Sequence, residues 1–185
     1  MTLSRQTKET NITMTLFSKE TNIDTPIPFF NHMLTALFFY ADINVDIKAS
    51  GDIDVDDHHL VEDVGIVFGK LLRQYLDTTS SIERFGYSYI PMDESLSRAV
   101  IDLSNRPTLV FQASFSNPTI STFTLQNVKE FFKSVTNEAR ITLHLENLYG
   151  DNDHHKVESL FKACGKALKQ AIKEVDTLQS TKGTL

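Results

Sequence analysis

The chain has little of several things that would narrow its class. Its 185 residues include one cysteine, Cys164, so no internal disulfide can form and a reducing compartment is expected. No apolar run is long enough to span a bilayer, and Met1 is not followed by a charged and then apolar leader, so no membrane partner is expected and a cytoplasmic location is. Basic charge is in deficit: 18 Lys and Arg against 24 Asp and Glu give a formal net charge of −6. That balance gives no reason to expect nucleic acid, while leaving room for a local basic pocket. The scarcity of thiolates also argues against a structural zinc finger. What is present is ordinary for a globular chain, 41% hydrophobic and 23% charged, with length for one domain or two fused small ones.

Against that plain background the histidines stand out by their placement. There are six, and four of them form two copies of His-His-x-x-Glu: His58, His59 and Glu62, then His154, His155 and Glu158. Each copy opens a helical apolar pattern, Leu60, Val64, Val67, Phe68, Leu71 and Tyr75 in the first, Val157, Leu160, Phe161, Cys164, Leu168 and Ile172 in the second. Cys164 therefore reads as a core residue and not as a nucleophile. On a helix each histidine shares a side with the glutamate three or four residues on, whereas the adjacent histidines diverge by about 100°. Such a pair suits two ions, each drawing ligands from both copies. The remaining histidines, His32 and His144, fall in the elements just before the two copies. A single histidine at a half-buried helix start is usually a satisfied polar residue, but six gathered by pattern favour a metal site. Imidazole with carboxylate suits Zn, Mn, Fe, Co or Ni, and an even sharing of these donors leaves open positions for a substrate. On the residues alone, a metal-dependent hydrolase, isomerase or lyase and a metal-storage protein all stay open.

The rest of the pattern divides the chain into two tandem half-repeats, about 1–80 and 81–185, within one domain. In the first, Lys8–Phe17 and Asn44–Ala49 alternate as strands, and Phe29–Tyr40 is an apolar helix ahead of the helix at His58. In the second, Arg84–Ile90, Ser95–Leu103 and Thr108–Phe115 read as strands joined by turns at Pro91-Met92-Asp93 and Ser104–Pro107. Thr124–Ala139 follows as a helix, Ile141–Leu148 as a strand, and the last helix runs to about Val175. Matching Phe29-Phe30 to Phe131-Phe132 sets Ser134 opposite His32. Each half is a sheet with two helices, and the economical solution is an α+β fold with four helices packed between two mixed sheets. The polar end, Thr177–Leu185, has the composition of a disordered tail.

From Lys8 onward the sequence resembles the imidazoleglycerol-phosphate dehydratase family of histidine biosynthesis. The matching stretches are Glu9-Thr10, Asn31-His32-Met33-Leu34, Gly51-Asp52, Asp56 through His59 with Glu62-Asp63, and Arg84-Phe85-Gly86. They continue with Pro91-Met92-Asp93-Glu94, Asp102-Leu103-Ser104, Arg106-Pro107, Glu130-Phe131-Phe132, His144, His154-His155, Glu158, Phe161-Lys162-Ala163 and Ser180-Thr181-Lys182-Gly183. The resemblance implies a ribosomal protein S5 domain 2-like fold and a dehydratase that takes D-erythro-imidazole glycerol phosphate to imidazole acetol phosphate and water. It implies two Mn2+ ions per site and a route through a metal-stabilised imidazolate, the substrate's ring serving as electron sink for a carbon with no adjacent carbonyl. One ion would take His58, His144, His154 and Glu158, the other His32, His59, Glu62 and His155. Catalytic roles are implied for Glu9, His32, Glu62 and Glu158, with Glu9 as general acid/base. Arg84, Arg106, Lys162, Ser180 and Lys182 would bind the phosphate, arginine through its fork of donors and lysine as a mobile charge. The family builds trimers that assemble into a 24-subunit shell with sites where subunits meet. The chain departs from the family at Pro26 for the usual Gly, Asn31 for Asp, Ala36 for Gln and Tyr40 for His. Asn31 remains able to accept a hydrogen bond from the His32 ring.

Overall fold

The structure, a computed structural model, describes residues 1–79, 81–177 and 179–181. The chain opens with β1 (Thr2–Gln6) and β2 (Thr10–Leu16), then β3 (Asn22–Asp24), α1 (Pro28–Ala41), β4 (Val45–Gly51) and α2 (His58–Thr78). It continues with β5 (Phe85–Met92), β6 (Ser95–Asp102), β7 (Thr108–Gln112), the short hairpin β8 (Thr119–Ile120) and β9 (Phe123–Thr124), α3 (Asn127–Ala139), β10 (Thr142–Tyr149) and α4 (Asp153–Ala171). Two four-stranded sheets result, with orders β1-β2-β4-β3 and β5-β6-β10-β7. In each sheet the last-named strand runs parallel to its neighbour and the other pairs are antiparallel. α1 and α2 pack on the first sheet and α3 and α4 on the second, while α2 lies against α3 and α1 against α4. The architecture is the expected α+β arrangement of duplicated halves, with the helices between the sheets.

Strand alternation explains why the sheets have one wet and one dry face. Ile12, Met14 and Leu16 are buried toward the helices, while Thr13 and Thr15 point out and pair their hydroxyls with Ser4 and Thr2, each at 2.9 Å. The helix pairs approach closely because glycine lines the contact. A Cβ on Gly69 would strike the Val135 carbonyl oxygen, and one on Gly165 the Leu37 carbonyl oxygen, so the two contacts are equivalent across the halves.

Helix ends fix the internal correspondence. α1 and α3 both terminate on a left-handed residue, Asp42 (φ 60°) and Arg140 (φ 55°), after which Ile43 and Ile141 donate to the carbonyls of Phe38 and Thr136. His32 lies ten residues before Asp42, and the residue ten before Arg140 is Glu130. The counterpart of His32 is therefore Glu130 and not Ser134. The repeated Phe-Phe pair misleads because it occupies different turns of the two helices.

Several boundaries move. β5 continues through Pro91 and Met92, so the turn falls at Asp93 (φ 48°) and Glu94; β7 stops at Gln112 and α4 at Ala171. β1, β3 and the β8–β9 hairpin are too short or too polar to read from alternation. The tail is not loose where it is described: Arg84 Nη1 donates to the Gln179 carbonyl at 3.1 Å. Lys182 lies outside the described residues.

Candidate metal centre

The first turn of α4 is set by Asn152, whose side-chain oxygen accepts from the amides of His154 and His155. One turn on, Glu158 is 6% exposed, and its Oε2 faces His154 Nε2 at 3.1 Å. Because α1 packs on α4, His32 Nε2 meets the same oxygen at 3.3 Å. Its other oxygen takes Lys162 Nζ at 2.6 Å, and that ammonium also lies 5.6 Å from the centre of the Tyr40 ring. Burial alone would push the Glu158 carboxyl up, but the hydrogen bond and charge of Lys162, with His32 and His154, more than offset it and hold the group below its ordinary value. Among the described residues, the ligand atoms of His32, His154 and Glu158 lie within 4.8 Å of one another. Two imidazole nitrogens converging on one buried carboxylate oxygen form a donor set that fits a divalent transition metal.

The remaining motif histidines are oriented in a way that supports the same fit. His59 Nδ1 faces Asp52 at 3.1 and 3.2 Å, His155 Nδ1 faces Glu94 at 2.7 Å, and His58 Nδ1 faces Asn127 Oδ1 at 3.1 Å. Each ring thus has Nδ1 engaged by an oxygen acceptor, the arrangement by which proteins fix a ligating tautomer, and His155 Nε2 lies 3.8 Å from Asp93. Asp52 raises the pKa of His59, and Glu94 that of His155. The Glu94 carboxyl is itself pulled down to about 2, first by the Asn152 amide and then by His155. His58 Nε2 lies 3.9 Å from Glu62, and Glu9 Oε2 lies 3.9 Å from His59 Nδ1. Asn31, by contrast, does not serve His32: its amide oxygen accepts from Thr25 Oγ1 at 2.6 Å and its nitrogen donates to the Thr25 carbonyl at 2.9 Å, pinning the entry to α1. Sequence reasoning gave no role to Asp52, Glu94 or Asn127, although Asp52 and Glu94 sit in stretches it matched.

His144 and the arginines lie elsewhere. Leu143 and Leu145 of β10 are buried toward the helices, so the exposed His144 points from the opposite face of the sheet. On that face it stands in a row with Tyr87, Val100 and Val110. One step along β6, Asp102 binds Arg84 at 2.8 Å and Arg106 at 3.5 Å, so two guanidinium groups share one carboxylate. Arg84 adopts a left-handed backbone (φ 68°), which turns its side chain back over Phe85. Ser180, like Lys162, has partners within this chain. The named residues thus fall into three groups: His32, His154, Glu158 and Lys162; His58, His59, Glu62 and Glu9; and His144 with Arg84 and Arg106. His155 of α4 stands apart from these, against Glu94 of the β5–β6 turn.

Duplicated sheet-and-helix halves carrying imidazole–carboxylate clusters define a scaffold with a candidate metal centre and, on the outer face of the second sheet, two arginines gathered on Asp102. The family model for imidazoleglycerol-phosphate dehydratase matches residues 25–168. The imidazoleglycerol-phosphate dehydratase of Exiguobacterium sp. is 48% identical over 98% of this chain and 95% of its own length, and that of Methanosarcina barkeri is 46% identical over 99% and 97%. The crystal structure of the Pyrococcus furiosus enzyme superposes with a TM-score of 0.89 at 38% identity, covering 99% of this chain and all (100%) of that one. The Staphylococcus aureus structure gives 0.86 at 40% identity, covering 95% and 99%. The chain belongs to the imidazoleglycerol-phosphate dehydratase family, and it is a carbon–oxygen lyase of histidine biosynthesis.

Proposed function

We propose that this chain removes water from D-erythro-imidazole glycerol phosphate to give imidazole acetol phosphate, using two divalent ions, Mn2+ in the first instance. The observation that carries the metal is the single Glu158 oxygen facing both His154 and His32. The ligands would be His32, His58, His59, Glu62, His144, His154, His155 and Glu158. The shared Glu158 oxygen favours placing His32 with His154, against the division that gives His32 to the other ion. When bound, such an ion supplies positive charge that makes the substrate's imidazole ring an electron sink.

The rest falls to the chain's own side chains. Asp52, Glu94 and Asn127 hold rings in place, so that ligand nitrogens need not reorganise on binding. Glu9, with a side chain 55% exposed and 3.9 Å from His59, is free to move a proton at the carbon beside the ring. Arg84, Arg106, Lys162, Ser180 and Lys182 would bind the phosphate, and the first two already sit together on Asp102 as an anionic partner. His144, on the far side of its sheet from the helices, would serve a site of a neighbouring copy, which suits the trimers and 24-subunit shell of the resemblance. A cytoplasmic location fits a chain with one buried thiol and, among its described residues, no helix long and apolar enough to cross a membrane. The test is to supply the metal-loaded protein with the substrate and look for imidazole acetol phosphate. Product is expected with Mn2+; an intact assembly that gives none with any divalent ion would overturn the proposal.

A further inference from the structure

The two halves carry corresponding glutamates with different occupations. Thr10 opens β2 and pairs with Gly51 at the end of β4; Ser95 opens β6, and a Cβ on Gly150, just past β10, would strike its side chain. Glu9, before Thr10, thus corresponds to Glu94, before Ser95. Asp52, after Gly51, corresponds in the same way to Asp151. In the second half Glu94 closes the turn with its side chain: Oε1 accepts the amides of Asp151 at 3.1 Å and Asn152 at 2.8 Å, and Oε2 reaches His155 Nδ1 at 2.7 Å. In the first half the Asp52 amide goes instead to the backbone carbonyl of Glu9 at 3.0 Å. The Glu9 side chain is left 3.9 Å from His59, while Asp52 occupies His59 Nδ1 at 3.1 and 3.2 Å.

We infer that Asp52 and Glu94 are positioning residues, and that Asp52 has taken over at His59 the place Glu94 holds at His155, leaving Glu9 free for the substrate. The inference rests on the reading of His59 and His155 as metal ligands. Each carboxylate accepts the Nδ1 proton and fixes which nitrogen the ring presents. A backbone carbonyl in place of a side-chain oxygen at the first turn is the local change that releases Glu9. Neither carboxylate touches the reacting atoms in this scheme.

The test is titration of the metal-free, assembled protein with Mn2+, followed by the loss of the free-ion electron paramagnetic resonance signal. Asp52→Ala and Glu94→Gln should each weaken binding about 10- to 100-fold, the latter because Glu94 uses both oxygens and a glutamine must turn its NH2 toward either the turn amides or the His155 ring. Asp52→Asn, which keeps an oxygen acceptor, should lose less than Asp52→Ala and carries the test should the alanine variant fail to fold. Glu9→Gln should leave affinity unchanged although it alters the residue corresponding to Glu94. Thermal unfolding of the metal-free variants is measured alongside, because Glu94 also closes the turn through the amides of Asp151 and Asn152; an affinity loss in Asp52→Asn at an unchanged unfolding temperature is the mark of positioning. Wild-type affinity in both Asp52 variants, or a loss in Glu9→Gln equal to that in Glu94→Gln, would overturn the inference. A wild-type protein that binds no Mn2+ would instead overturn the reading on which it rests.

Discussion

Glu158 concentrates the chemistry of α4 in one residue. It is buried, it satisfies Lys162 with one oxygen, and it offers the other to two imidazoles. Replacing it with alanine should abolish metal retention through dialysis as well as turnover, and His154→Ala should do the same; metal analysis of the purified variants checks both. Arg106 should behave differently, because it belongs to the group on Asp102 and not to the donor cluster. One charge-assisted contact contributes roughly 1.5–3 kcal/mol, so Arg106→Ala should raise KM about tenfold or more with a smaller effect on kcat. Lys182→Ala should follow the same pattern, and an unchanged KM would count against a phosphate role. Cys164 is the residue with nothing to do at the site. Burial pushes its thiol up to about 12, so it should resist iodoacetamide in the folded protein at neutral pH and react once the chain is denatured.

At the scale of elements, the helix pairs depend on glycine where α2 meets α3 and α4 meets α1. Gly69→Ala and Gly165→Ala each place a methyl group against a backbone carbonyl that cannot swing aside. Each should cost about 1–3 kcal/mol, read as a lower urea midpoint than the parent's. This close approach was not legible in the sequence, because a helical glycine looks merely permissive until its neighbour is known. The long helices and the strands β2, β4, β5, β6, β7 and β10 were legible, since apolar residues recur at the period of each element over several turns or pleats. β1 and β3 were not: they are edge strands that face water with residues such as Ser4, Asn22 and Asp24, and their hydrogen bonds come from neighbours the sequence does not name. The motif histidines were legible from spacing, but their orientation was not. The acceptors at His59, His155 and His58 come from 7, 61 and 69 residues away in sequence. Glu130 as the counterpart of His32 was likewise hidden until both helix ends were fixed by Asp42 and Arg140.

At the scale of the molecule, the two sheets match in topology but not in what they show the solvent. The first sheet presents Thr13, Thr15, Asp46 and Lys48; the second presents Phe85, Tyr87, Tyr89 and Val100 around His144, with Arg84 and Arg106 on Asp102 beside them. Exposed aromatics around a histidine and a cationic pair are costly to leave in water and useful where another copy brings a complementary cluster. His144 cannot turn through its own sheet to reach His154, because neighbouring strand residues commit it to the outer face. If the proposed sites are shared, His144→Ala and His154→Ala chains should each be inactive alone yet complement one another. In an assembly refolded from equal amounts, a His144 supplied by one variant meets a His154 supplied by the other at about a quarter of the sites under random pairing. Activity and bound Mn2+ should recover together toward that fraction, with native mass spectrometry verifying that the assemblies contain both chains. Mixed assemblies that stay inactive would mean that no site draws these two histidines from different copies, and a His144→Ala chain active alone would send His144 back to the surface as an ordinary exposed residue.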